Sequence, residues 1–467
     1  MTIDSSARAI SRRTLLRGAA LAGAGVSLST VFHAEARAQE KRDSAETAVS
    51  NPSFSAAERD RRWAAVRRIM ARPQWNLDAI VALASGDAAY PRYLTQIGGR
   101  GGSADIVFPR DASKPTEALL PTERNKLFWE ARLSAWRADG KMALAVGEGS
   151  KAMIAQLSAL ELNRPGMRIG LAKLAGSRFD PEGLVSATYL DNLKKALPGV
   201  AFAAIENWGV DAGPIDEAAM MKSGEEHDAI RRSVAVGEEA VETILRSVRA
   251  GAKRQAEVWF AAFSQMFART GEDPTRLSIA FDQGANATLG APVDDPLRPG
   301  QIISQEIDAT CQGYRGQVNH SIFVGGPNTP GHGYYRAAME AAVKLFFEGV
   351  KFIRPGKTTC GELADHYAAG VEKFNAEDQS GVVLHSSGIA NLSRPRVGPA
   401  NSRGDAPIVL APGMAFDFKP AIRLKRSFMQ DTARNNRVVQ IGDHLLITES
   451  GAIRLGKREL TPLTTEG

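Results

Sequence analysis

The stretch Gln305–Gly326, Q-E-I-D-A-T-C-Q-G-Y-R-G-Q-V-N-H-S-I-F-V-G-G, constrains the fold of this chain most. Two strand-like runs flank a turn built on Gln312, Gly313 and Tyr314. Side chains alternate faces along a strand. Glu306 and Asp308 therefore share one face, and Gln317, Asn319 and Ser321 share one face of the returning strand. Closing this hairpin sets acids and amides opposite each other on a surface that a buried sheet would fill with apolar groups.

The remaining composition is that of an ordinary globular chain. Its 467 residues exceed one typical domain, so two are expected. Hydrophobic residues make up 43% and charged residues 24%, enough for a core without a disulfide framework. Cys311 and Cys360 read as free, structurally neutral thiols. Half of the net charge of +6 lies in residues 1–38, where Arg8, Arg12, Arg13, Arg17 and Arg37 face only Asp4 and Glu35. No basic stripe with interleaved aromatics follows, which argues against a nucleic-acid partner.

Residues 1–38 have the layout of a twin-arginine secretory signal: Ser11-Arg12-Arg13, an apolar run from Gly18 to Val31, and Ala36 and Ala38 in A-x-A spacing. The run is too short and weak to span a bilayer. The expectation is export to the periplasm, no membrane contact after cleavage, and a disordered lead-in over 39–56.

Strands and helices alternate across 57–206, the pattern of an α/β layer domain. Asn207–Ile215 reads as a linker. The character then changes: Asp216–Ala250 is a long amphipathic helix or pair with Ile230, Val234, Val241, Ile244 and Leu245 as its stripe. Helices over 254–270 and 333–353 follow, with strands over 414–420 and 437–448.

Several phrases together resemble one family. Met221-Lys222-Ser223-Gly224-Glu225-Glu226, the Leu297-Arg298-Pro299-Gly300 turn, Gly313-Tyr314 with Val324-Gly325-Gly326, and Leu410-Ala411-Pro412-Gly413-Met414 match in order and spacing. They resemble the pita-bread superfamily of creatinase, aminopeptidase P, prolidase and methionine aminopeptidase. The resemblance implies an α+β chain, with a C-terminal pita-bread domain over 216–455 and a smaller α/β creatinase-like domain over 57–206. It also implies a homodimer.

The peptidases of that family hold two metal ions through Asp, Asp, His, Glu and Glu, ligands suited to water-activating divalent cations. The corresponding positions here carry Glu306, Gln317, His385, Lys419 and Gly442. A family histidine in the Gly284–Gly290 stretch falls on Ala291. The resemblance therefore implies a dismantled dinuclear site and no metal cofactor, with a non-standard single metal left open. Alternation extends the set, and the resemblance implies that these faces converge on a pocket lined by Glu306, Asp308, Gln317, Asn319, His385, Asp417, Lys419 and His444.

Three functions fit these residues. One is a metal-independent hydrolase or lyase of a small C–N substrate, with His385, Glu306, Asp308 and Lys419 catalytic and Gln317, Asn319, Asp417 and His444 binding substrate. His385-Ser386-Ser387-Gly388 resembles the catalytic-histidine segment of creatinase, whereas Lys419 departs from it. The second is a non-catalytic binding protein in which Lys419–Glu306 is a structural ion pair. The third is a mononuclear metal hydrolase using His385, His444, Glu306, Asp308 and Asp417. His227, His320, His366 and the Arg423, Lys425, Arg426 run read as packing or surface groups, and His332 as a loop residue.

Overall fold

The opening hairpin forms. In the computed structural model, Ile302–Cys311 and Tyr314–His320 are antiparallel strands. Gln312 and Gly313 turn between them with φ of 54° and 83°, the left-handed pair that a two-residue hairpin turn needs to match strand twist. Tyr314 therefore belongs to the strand, opposite Cys311, and not to the turn. The structure describes residues 54–84, 89–175, 182–205, 212–389, 394–400, 402–425 and 437–466. The signal segment, most of the lead-in, and part of the linker lie outside these.

The N-terminal sheet contains β1 (Ala79–Ala82), β2 (Asp105–Pro109), β3 (Thr116–Leu120), β4 (Met142–Val146), β5 (Arg168–Leu171) and β6 (Ala201–Ala204) in the order β4-β3-β2-β1-β5-β6. Only β2 runs antiparallel to its neighbours. One face packs Met153, Leu157 and Leu193 from two helices, and the other packs Trp63, Val66 and Met70 of the helix Ala56–Met70. β3 and the helix Glu123–Arg132 escape the sequence pattern, because that helix buries only Trp129 and has no apolar stripe.

The C-terminal half contains β7 (Arg276–Phe281), β8 (Ile302–Cys311), β9 (Tyr314–His320), β10 (Ile322–Phe323), β11 (Ala376–Asp378), β12 (Leu384–Ser386), β13 (Arg396–Val397), β14 (Ala415–Phe418), β15 (Ala421–Leu424), β16 (Val439–Ile447), β17 (Ala452–Arg454) and β18 (Leu463–Thr464). Its main path runs β13-β12-β14-β16-β9-β8-β10-β18, with β7 also on β8. Helices Gly224–Arg249 and Gln255–Thr270 back the β8–β9 side, and His332–Phe352 and Cys360–Lys373 back β14 and β16. Ile307, Ala309, Val318, Phe416, Phe418, Ile441 and Leu445 face these helices. By alternation, the polar residues between them face the other way.

The helix Gly224–Arg249 starts at a capping box, Ser223 with Glu226. It lies almost against β9: a Cβ on Gly316 would sit 2.6 Å from the Ser233 carbonyl carbon. Glu226 also accepts from the Tyr314 hydroxyl and lies 3.4 Å from buried Arg62. The hairpin is thereby tied to the N-terminal domain, where Arg62 lies over the rings of Phe54 and Tyr93.

Both expected domain limits move. The segment before 216 already begins a helix, Pro214–Met220, with proline in its first turn. Past 455 the chain returns to the sheet. Arg458 pairs with Asp443 at 2.9 Å and Glu238 at 3.3 Å and donates to the Asn319 and Gly442 carbonyls, and β18 pairs with β10. Two-residue strands carry no period to read.

Two outcomes follow from this packing. Gly316→Ala in a strand would ordinarily gain a little stability by restricting the unfolded chain. Here the helix backbone cannot yield, and a loss of roughly 3 kcal/mol is expected from overpacking, read as a lowered denaturation midpoint. An unchanged midpoint would show that the helix does not press on β9. His320 is buried, with Nε2 donating to the Thr461 carbonyl and Nδ1 accepting from Arg458. Burial and Arg458 push its pKa from 6.5 to about 3. The unfolded chain then takes up this proton below pH 6.5 and the folded one does not, so His320's contribution is lost as pH falls from 6.5 through about 3. His320→Gln should flatten that limb of stability against pH, measured by urea unfolding at several pH values; parallel curves would refute it.

Candidate functional site

Directly opposed residues of antiparallel strands share a face, and the registers assemble two polar rows. In the first, Arg276 opposes Asp308, Asp308 opposes Gln317, His444 opposes Asp417, Asp417 opposes His385, and His385 opposes Arg396. The join between Gln317 and His444 is unusual. β9 and β16 part after Asn319–Gly442, and the Gln317 amide N–H donates at 3.0 Å to His444 Nδ1. An imidazole thus stands in for a ladder carbonyl. The second row runs from Ser278 opposite Glu306 to Asn319 opposite Gly442, with Lys419 just beyond β14.

Lys419 Nζ donates to Glu306 Oε1 at 2.8 Å, and Gln317 Nε2 donates to the same oxygen at 2.9 Å. Asn319 Nδ2 donates to the Gln305 carbonyl at 3.0 Å. Gly442 makes the ion pair possible: a Cβ there would sit 2.7 Å from Lys419 Cβ and 2.6 Å from Asn319 Oδ1. The missing side chain leaves the path along which Lys419 crosses to Glu306.

Arg315 links the first row. Its Nη1 reaches Asp308 at 3.3 Å and its Nη2 reaches His385 Nδ1 at 2.9 Å. A guanidinium only donates, so His385 Nδ1 accepts and the proton sits on Nε2, 3.7 Å from Asp417 Oδ2. That gap is too long for a hydrogen bond. The same logic fixes His444 as the Nε2–H tautomer. Among the described residues, His444 Nε2, Asp308 Oδ1, Gln317 Oε1, Glu306 Oε2 and both Asp417 oxygens are buried without a hydrogen-bond partner. Orphaned buried polar atoms are costly, and here they converge on one face.

Their protonation is spread widely. Burial works to raise the Glu306 carboxyl, but Lys419, Arg276 and Arg315 hold it at about 2. Burial outweighs Arg315 at Asp308 and raises it, with Glu306 adding to the rise. Asp417, buried beside Asp308 and Glu306 with Lys419 opposing, is pushed well above the carboxylate range. Burial, Lys419 and Arg315 hold His385 well below 6.5, and burial brings His444 to about 3.

A polar cleft of about 280 Å³ opens on these rows, walled by Arg276, Asn286, Glu306, Arg315, His385, Arg396 and Lys419, among others. Of the residues expected from sequence, Glu306, Lys419 and His385 line it; Gln317, Asn319, Asp417 and His444 lie behind them, fully buried. Asp308 lines the adjoining cleft. Arg276, Arg315 and Arg396 were not foreseen. Arg315 was within reach, being two residues before Gln317 and thus on its face. His332 is not a loop residue: it opens a helix, edge-on to Phe323. His366 stacks on Phe352, and His227 contacts the Gly413 carbonyl. Arg423 pairs with Glu377; Arg426 lies outside the described residues.

These donors do not fit the two-metal centre that the resemblance implies for its peptidases. An ammonium and a glycine hold two ligand positions, and the ammonium is already bonded to the carboxylate of a third. The single-metal set expected from His385, His444, Glu306, Asp308 and Asp417 does not form either. Among the described residues no three His, Cys, Asp or Glu side chains are arranged to hold an ion; Arg315 already occupies His385 Nδ1 and Lys419 already occupies Glu306 Oε1.

A family model described as metallopeptidase family M24 matches residues 228–449. The Xaa-Pro dipeptidase of Pyrococcus furiosus is 24% identical over 280 residues, 60% of this chain and 73% of that protein. An Xaa-Pro dipeptidase structure from Bacillus anthracis superposes with a TM-score of 0.66 at 15% identity, covering 87% of this chain and 99% of that one. The N-terminal domain of FACT complex subunit SPT16 from Cicer arietinum gives 0.64 at 14% identity, covering 88% and 98%. Residues 228–449 are thus a Peptidase M24 domain of the pita-bread fold, carried behind an N-terminal α/β domain in the two-domain arrangement of the prolidases.

Proposed function

We propose that this protein is a hydrolase that cleaves a C–N bond in a small organic anion without a metal ion. The observation that carries the proposal is the Lys419–Glu306 pair laid across Gly442. It places a fixed positive charge where the resembled peptidases place a cation, and it leaves Glu306 too acidic to act as a base. The peptidase names of the relatives support hydrolysis as the reaction class.

The carboxylates divide the work by pKa, as acid–base pairs in active sites do. Asp308 has a raised pKa and one unpartnered oxygen, so it accepts the proton of an attacking water. The hydroxide equivalent adds to the carbon, the C–N bond breaks, and the leaving nitrogen takes the proton of the Asp417 carboxyl, which burial keeps on the acid. His385 resists protonation because burial, Lys419 and Arg315 disfavour the imidazolium. It therefore stays neutral and positions Asp417 for that transfer. The twin-arginine layout of residues 1–38 supports export, and the family resemblance supports a homodimer.

The test is metal content together with turnover of a panel of N-acyl amino acids and guanidino acids. Sub-stoichiometric transition metal and activity that survives chelation are expected. His385→Ala and Asp308→Asn should each lose roughly 10²–10⁴-fold in kcat with the fold intact. Two equivalents of metal per chain, or activity abolished by chelation, would overturn the proposal. A second function, binding without catalysis, is favoured by the occupied Nδ1 of His385; it predicts ligand affinity with no turnover in either protein.

The ion pair has its own test. Removing one partner strands a buried charge, so Lys419→Met should cost roughly 3–5 kcal/mol. Adding Glu306→Gln should recover part of that loss, a coupling that a double-mutant cycle reads directly. Additive losses would show that the two groups do not interact.

A further inference from the structure

Arg276 and Arg315 wall two clefts, not one. The polar cleft lies on one side. On the other is a cleft of about 400 Å³ whose walls are Trp259, Phe263, Pro274, Leu277, Leu289 and Gly290, with Asp308 at the shared boundary. Trp259 and Phe263 stack on each other with ring centroids 5.1 Å apart and planes 11° from parallel, giving that side an aromatic pair. Leu289 stands at the lip, 88% exposed and at φ 55°. A leucine holds that left-handed conformation at a steric cost, and so large an apolar side chain in water invites a partner.

The loop bearing Leu289 also serves the polar side. Asn286 lines the polar cleft and accepts from Arg276, whose Nε donates to Ser278 at 3.1 Å. One short segment, Ala285–Leu289, therefore touches both clefts, and Arg276 is the post between them. Around the two clefts stand the cations of Arg276, Arg315, Arg396 and Lys419 against the carboxylates of Glu306 and Asp308. The polar side favours an anion, and the aromatic side favours an apolar chain or ring.

We infer that the ligand is an amphipathic carboxylate: its carboxylate lies against Arg276 and Lys419, and its aliphatic or aromatic group lies on the Trp259–Phe263 wall beneath Leu289. This deepens the proposed function and rests on its anion-binding cleft, but not on catalysis. Arg276 and Leu289 become specificity-determining residues, one for charge and one for length. Glycine-like or doubly charged small anions would leave the aromatic wall unused.

The experiment is calorimetric titration of the full chain with sodium acetate, butyrate, hexanoate and 4-phenylbutyrate, and with hexylamine as the cationic counterpart. Affinity should rise roughly fourfold per methylene buried, and hexylamine should not compete with hexanoate. Leu289→Asn keeps a residue that adopts positive φ readily and removes the apolar lip; together with Trp259→Ala it should flatten the series. Arg276→Gln should weaken every carboxylate about tenfold while the chain-length trend remains. Equal affinities for acetate and hexanoate, equal binding of hexylamine, or a trend unchanged in Leu289→Asn would each overturn the inference. Because titration reads binding alone, a trend that persists in His385→Ala upholds the two-part cleft even where no hydrolysis is found. Hydrolysis with a flat series would refute the cleft and leave the reaction standing.

Discussion

A carboxylate in the middle of a covered sheet needs a positive partner, and Glu306 has one in Lys419. At 2.8 Å the attraction is roughly 6 kcal/mol at an effective dielectric near 20. Desolvating both ions costs several kcal/mol each, so the pair adds little net stability. Its effect is on charge placement. It keeps Glu306 ionised, anchors the Gln317 amide on the same oxygen, and sets a fixed ammonium among residues that otherwise orphan their polar atoms. Lys419 and Gly442 are one structural change, because the ammonium needs the space that the absent side chain leaves. A single substitution at either position alone would meet a clash or a void.

Much of this is legible in the sequence, for a mechanical reason. Period-two alternation is rigid inside a long ladder, so Glu306 with Asp308, Gln317 with Asn319, and Asp417 with Lys419 could each be placed on a shared face from their spacing, and the family resemblance implied that those faces converge. The long helices were legible because their stripes repeat over several turns. Arg315 obeys the same parity and was passed over only because the count began at Gln317. Arg276 and Arg396 were beyond reach. They lie on strands whose pairing with Asp308 and His385 joins distant parts of the chain, which spacing along one strand cannot supply. The C-terminal limit was out of reach for the opposite reason: β18 is two residues long, and its partner β10, also two residues long, is held to the sheet by β8.

The insertion of His444 into the ladder between β9 and β16 ties the polar face to the strand backbone. A ladder carbonyl would have satisfied the Gln317 N–H and ended the matter. An imidazole in its place satisfies the same donor and projects its own Nε2–H, a buried proton with no partner among the described residues. The strands must part to admit it, so the site lies where the sheet is already opened.

Arg315 holds several groups in one geometry at fixed charge. Arg315 cannot lose its proton, so it dictates that His385 is neutral and which nitrogen carries its proton. It also lies against Asp308, whose carboxyl stays above its ordinary value because burial outweighs the guanidinium. A guanidinium so placed biases the proton between neighbouring side chains, and a charged ligand would change that bias. Such a site is therefore more sensitive to the charge of its ligand than to ligand shape, and the number of cations on its wall is its first filter for what can be bound or transformed.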